Sequence, residues 1–171
     1  RNEDFIKLMK ALECYAYRVF LLDGKRSNAG KTAFFRWGWE LFHESVLIDY
    51  VIAEVYRLIH HYVRGDVFEK KINEIFGWYN HRLLLKYTLF EYEQYLLDEY
   101  HEGRNTKISW KEIKAKDSTI EHILPQNPKP DSDWLRNWTE EQRKKYLHDI
   151  GNLVLTMDNA KYGNSEFAKK K

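Results

Sequence analysis

The sequence predicts a mainly α protein, with a helical bundle over residues 1–102 followed by a smaller mixed module over 103–171. Three observations carry that expectation. Apolar residues before position 102 recur at three- and four-residue spacing, and that stretch contains no proline. Pro125, Pro128 and Pro130, the only prolines, then crowd into one short segment. Around them lie two short runs rich in β-branched and aliphatic residues, STIEHIL and NLVLT, each of strand length.

The elements follow in order. In EDFIKLMKALECYAYRVFLL, the residues Phe5, Leu8, Met9, Leu12, Tyr15, Ala16 and Val19 line one helical face. DGKRSNAGK is a turn, built on Gly24, Ser27, Asn28 and Gly30. Further helices are expected over Thr32–Phe42, SVLIDYVIAEVYRLIHHYV, VFEKKINEIF and His81–Tyr100. HEGRNTKISW breaks the pattern. STIEHIL reads as a strand ended by Pro125, and PQNPKPDSD as a loop. TEEQRKKYLHDI starts at Thr139 with Gln142 three residues on, a capping box, and stops before Gly151. NLVLT is the second strand, and NSEFAKKK a final helical segment.

The chain has 171 residues, 43% hydrophobic and 32% charged, enough for one domain or one with a small appendage. A net charge of +2 excludes a field of one sign over the whole surface, so any nucleic-acid contact must be local. The single cysteine, Cys14, excludes an intrachain disulfide and a cysteine-rich zinc site, and it sits in a helical apolar pattern. No apolar run reaches the roughly 20 residues that span a bilayer, and no signal peptide is visible. With Arg1 at one end and Lys169, Lys170 and Lys171 at the other, the chain reads as part of a longer cytoplasmic protein without membrane contact.

The chemistry concentrates after residue 118. Glu121 and His122 interrupt an apolar strand where Val or Ile would suffice for a core, and each costs desolvation energy if buried without partners. The reading is that they are displayed at a strand end. A strand–strand–helix (ββα-metal) phosphodiesterase needs a base near neutral pH, a divalent ion held by oxygens, and a polar residue to orient the base. His122 can be that base, Glu121 can offer a hard oxygen to Mg2+, and Asn152, Asn159 and Asn164 can offer amide oxygens. Successive strand side chains face opposite ways, so Glu121 and His122 share a site only if the strand ends or kinks between them.

TIEHILPQ, YLHDIGNLVLT and DNAKYGNSEFAKK, in that order, resemble the C-terminal nuclease domain of GmrSD-type modification-dependent restriction endonucleases, part of the HNH, or His-Me finger, superfamily. The resemblance covers roughly Ser118 to Lys170, and only RLLLKYTLFEYE extends it into the helical half. Gly163 stands where the family usually has Ser, and Val154 where Thr is common. The resemblance implies a metal-dependent DNA endonuclease of a phage-defence system, using Mg2+ or Mn2+. It also implies a larger protein with an N-terminal ParB-like nucleotide-hydrolysing domain. His122 would be the general base, and Asn152 would orient it or hold the two strands together. Asn159 would hold the metal with Glu121 as second ligand, while Asn164 and His148 are further candidates. Lys161 and Lys170, in the basic final segment, are candidates for phosphate contacts. For His148 the helix dipole alone is a sufficient explanation, since a partly charged imidazole is favoured at a helix C-terminus. Two rivals remain at this level: a catalytically idle DNA- or protein-binding module, and an RNase using the same residues.

Overall fold

The computed structural model describes residues 2–100, 109–115 and 119–156. It is mainly helical, with one two-stranded sheet. The chain divides into two compact units, Arg1–Ile75 and Phe76–Lys171. The division falls after Ile75 rather than at residue 102, where the sequence changes character, and places the long fifth helix with the strands.

In the first unit, α1 (Asn2–Tyr15) runs on into a π-helical segment, Ala16–Leu22. α2 (Lys31–Phe42), α3 (Ile48–Tyr62) and α4 (Gly65–Glu74) follow. The core forms where α1 meets α3, because each carries buried residues at four-residue spacing: Ala11, Tyr15 and Val19 on one side, Val51, Val55, Ile59 and Val63 on the other. Trp37 of α2 completes it.

The turn before α2 has no side-chain cap and is held by two tyrosines instead. Tyr15 Oη donates to the Ala29 carbonyl at 3.0 Å, and Tyr62 Oη accepts from the Gly30 N–H at 3.0 Å. Burial, with the nearby Tyr62 adding to it, pushes the Tyr15 hydroxyl up to about 12. Gly30 is required here twice over. Its φ is 72°, and a Cβ would stand 2.6 Å from Tyr15 Oη. At the end of the π segment, the Asp23 carboxylate pairs with Lys71 at 2.7 Å and Lys25 at 3.2 Å. Burial works to raise its pKa, but the hydrogen bonds from the two lysines outweigh that and hold it below the ordinary carboxylate value.

The second unit opens at Gly77, whose φ of 68° starts a 3-10 turn, Trp78–Asn80. α5 (Arg82–Tyr100) follows and packs against the strand Leu153–Thr156. After α6 (Trp110–Ala115) come β1 (Thr119–His122), α7 (Asp133–Asn137), α8 (Glu140–Tyr146), a 3-10 turn (Ile150–Asn152) and β2 (Leu153–Thr156). The strands are antiparallel, with Ile120 opposite Leu155, Glu121 opposite Val154 and His122 opposite Leu153. Among the described residues, the buried hydrophobic side chains of this unit include Trp78, Leu84, Leu85, Ile113, Ile120, Leu124, Trp134 and Leu153.

The capping box expected at Thr139 is present. Thr139 Oγ1 accepts from the Gln142 N–H at 3.2 Å, and Gln142 Oε1 accepts from the Thr139 N–H at 2.9 Å. The helix stops at Tyr146, short of Ile150, because Asp149 caps a separate 3-10 turn through Gly151 N–H. α7, α6 and the turn at Trp78 have no counterpart in the periodicity of the sequence. The last expected helix, NSEFAKKK, lies outside the described residues.

Candidate functional site

β1 runs regularly to His122, so its side chains alternate strictly between the two faces of the sheet. Ile120 and His122 lie on the covered face, 7% and 6% exposed. Glu121 lies on the other face, half-buried, across from the 38% exposed Val154. The expectation of a displayed imidazole is corrected: His122 is buried. A buried ring nitrogen must find a partner. It finds His148, whose Nδ1 is 3.1 Å from His122 Nε2. The Gln126 amide stands 3.4 Å from the same Nε2.

His148 reaches this position because α8 ends early, and a short bend carries it back toward β1. The helix dipole accounts for its position along the chain and not for this contact. Tyr79, absent from the sequence reading, covers both rings. It stacks on His148 at 5.3 Å and 17°, and leans over His122 at 4.6 Å and 49°. Gly77, in the left-handed region, sets the turn that presents Tyr79. The Arg82 guanidinium lies 5.2 Å from the Tyr79 ring, and Nη2 donates to its hydroxyl at 3.3 Å, so an exposed positive charge stands against the tyrosine that covers the imidazoles. The signal that could have found Tyr79 is an aromatic held in a turn just ahead of a helix, which periodicity does not weigh.

Asn152 is buried and binds backbone on three sides. Its Oδ1 accepts from Leu124 N–H at 2.6 Å, while Nδ2 donates to the carbonyls of Leu124 at 3.2 Å and Leu147 at 2.8 Å. The Ile123 N–H adds a bond to the Asn152 carbonyl at 2.9 Å. The side chain therefore continues the ladder where β1 ends, and satisfies one of the orphan carbonyls at the end of α8. With both amide hydrogens used, it positions the two segments that carry His122 and His148 without touching either ring.

Asn159, Lys161, Asn164 and Lys170 lie outside the described residues. Among the described residues, no group of three or more histidines, cysteines or acids could hold a metal ion. The donors that do converge are imidazole nitrogens, and Glu121 is on the far face. That set does not fit Mg2+, which takes oxygen ligands. No helix among the described residues is long and apolar enough to cross a membrane.

Fold and site together define a mainly helical protein whose small sheet buries one imidazole in contact with a second, half-buried one beneath a tyrosine. The family described as GmrSD restriction endonucleases, C-terminal domain, matches residues 62–171, well over half of the chain, and the chain belongs to that family. All the site residues lie within the match, and most of the first unit precedes it. Comparison with curated proteins and with solved structures gives no match.

Proposed function

We propose that the chain is a DNA endonuclease domain of a restriction system, with the strand pair serving as an HNH-type ββα-metal module and His122 as general base. The observation that carries this reading is the contact of the buried His122 Nε2 with the half-buried His148 Nδ1, inside the region matched to the restriction endonuclease family. The Gln126 amide nitrogen can only donate, which favours the His122 tautomer with its lone pair on Nε2, the form a base needs. Exchanging one of these donors for a water places that water where Nε2 can take its proton as it attacks phosphorus. Tyr79 fixes both ring planes, and Arg82 offers a bidentate cation to the phosphate.

Glu121 faces away from His122, so a divalent ion, Mg2+ or Mn2+, would need other ligands there, with Asn159 the remaining proposed one; when bound, it would stabilise the leaving oxygen. Every step assigned here belongs to the side chains themselves. The N-terminal ParB-like domain is likewise proposed as the partner that delivers DNA.

Plasmid nicking tests the reading. His122→Ala should lower the rate roughly 10²- to 10⁴-fold with an unchanged circular dichroism spectrum, and EDTA should stop nicking until Mg2+ or Mn2+ is restored. Undiminished nicking by His122→Ala would remove the mechanism. DNA retention without cleavage under any divalent ion would favour the idle binding module, and cleavage of structured RNA alone would favour the RNase.

A further inference from the structure

The second unit contains a cavity of about 270 Å³ that the mechanism above does not use. Its walls include Trp134, Trp138, Tyr146 and Leu124, with Asn152 and Asp149 as its polar side chains. The volume falls just under the range of about 300–1,000 Å³ that drug-sized ligands occupy, which suits a ring system of modest size. We propose that this cavity receives one unpaired nucleobase of the substrate strand, one that carries an exocyclic amino group. The proposal rests on the endonuclease reading and adds a base-recognition subsite to it.

Three features select that ligand. Three aromatic rings, Trp134, Trp138 and Tyr146, stand in the wall, the last two edge to face at 6.1 Å and 79°, and aromatic faces stack on any nucleobase. Asn152 is fully used by backbone partners, so the polar recognition falls to Asp149. Its Oδ1 accepts from the Gly151 N–H at 2.9 Å, which leaves Oδ2 as an acceptor. A carboxylate accepts from the amino group of cytosine or adenine, whereas the one base donor of an unpaired thymine, N3–H, sits between two carbonyl oxygens that repel a carboxylate. Finally, Leu124 lies two residues past His122, so the bend that follows β1 keeps it within roughly 7 Å, the span of two extended residues, and a seated base stays beside the reacting phosphates. Lys145, its ammonium 5.0 Å from the Tyr146 ring, adds a positive charge at that wall.

The test is fluorescence anisotropy with labelled oligo(dC), oligo(dA) and oligo(dT) of equal length, in EDTA so that nothing is cleaved. The unaltered chain should bind oligo(dC) and oligo(dA) roughly tenfold more tightly than oligo(dT). Asp149→Asn keeps a competent cap for Gly151 and should erase that preference. Trp138→Ala should weaken all three roughly tenfold. Equal affinity of the unaltered chain for the three, or a preference unmoved in Asp149→Asn, overturns the subsite. A chain that nicks plasmid yet shows no preference keeps the endonuclease reading and loses this one. A preference in a chain that never nicks leaves the subsite standing and removes the endonuclease.

Discussion

The two units use buried polar groups for opposite ends. In the first, Tyr15, Tyr62 and Asp23 fasten a turn and a helix end to fixed partners, and no described contact there links two imidazoles. In the second, Asn152 does equivalent fastening, and what it fastens is a pair of ring nitrogens facing each other. A carbonyl or an ammonium has one role in a hydrogen bond. An imidazole can donate or accept through the same nitrogen according to where its proton sits. A pair of such rings, one buried and one half-buried, is held in place yet remains able to change state, which is what proton transfer requires.

Removing Asn152 breaks this comparison hardest. Asn152→Ala strands the Leu124 N–H and the carbonyls of Leu124 and Leu147, at about 3 kcal/mol or more in total. Urea denaturation should show the loss. If stability is unchanged, the amide is not the brace described here.

Tyr79→Ala sharpens it. The rings lose their cover, and nicking should slow by roughly 100-fold through misplacement, in kcat more than in KM. Tyr79→Phe keeps the stacking surface and should restore most of the rate. A Phe variant as slow as the Ala variant would instead assign the effect to the hydroxyl that meets Arg82.

The smallest effect belongs to the first unit. The Asp23 carboxyl has a folded pKa below its unfolded one, so its ion pairs add stability above about pH 4, lost as pH falls through the folded value. Asp23→Asn should lower Tm at pH 7 by an amount worth about 1 kcal/mol, and the gap from the unaltered chain should close in acid. A gap independent of pH would mean that packing, not charge, links Asp23 to Lys71 and Lys25.

What the sequence made legible was local. The helices α1 and α3 and the capping box at Thr139 are encoded within a few neighbouring residues and appear where expected, but the buried face of the first helix runs through Ala11, Tyr15 and Val19 and leaves Phe5, Met9 and Ala16 exposed. The strand that ends near Pro125 also appears, shortened because Leu124 pairs with a side chain in place of a strand backbone. The meeting of Tyr79, His122 and His148 depends on three distant segments, and no spacing within any one of them specifies it. Alternation along a regular strand, an elementary rule, separates Glu121 from His122, while the proline three residues on suggested a break that the chain does not make there.

That alternation carries a consequence for how such a site can change over time. A strand face is a matter of odd and even, so the chemistry of the sheet is sensitive to parity rather than to length. Losing or gaining one residue within β1 would turn the carboxylate inward and the imidazole outward in a single step. Losing or gaining two would leave the imidazole on its own side. Insertions by pairs are therefore the variations this strand can absorb while keeping its histidine under cover.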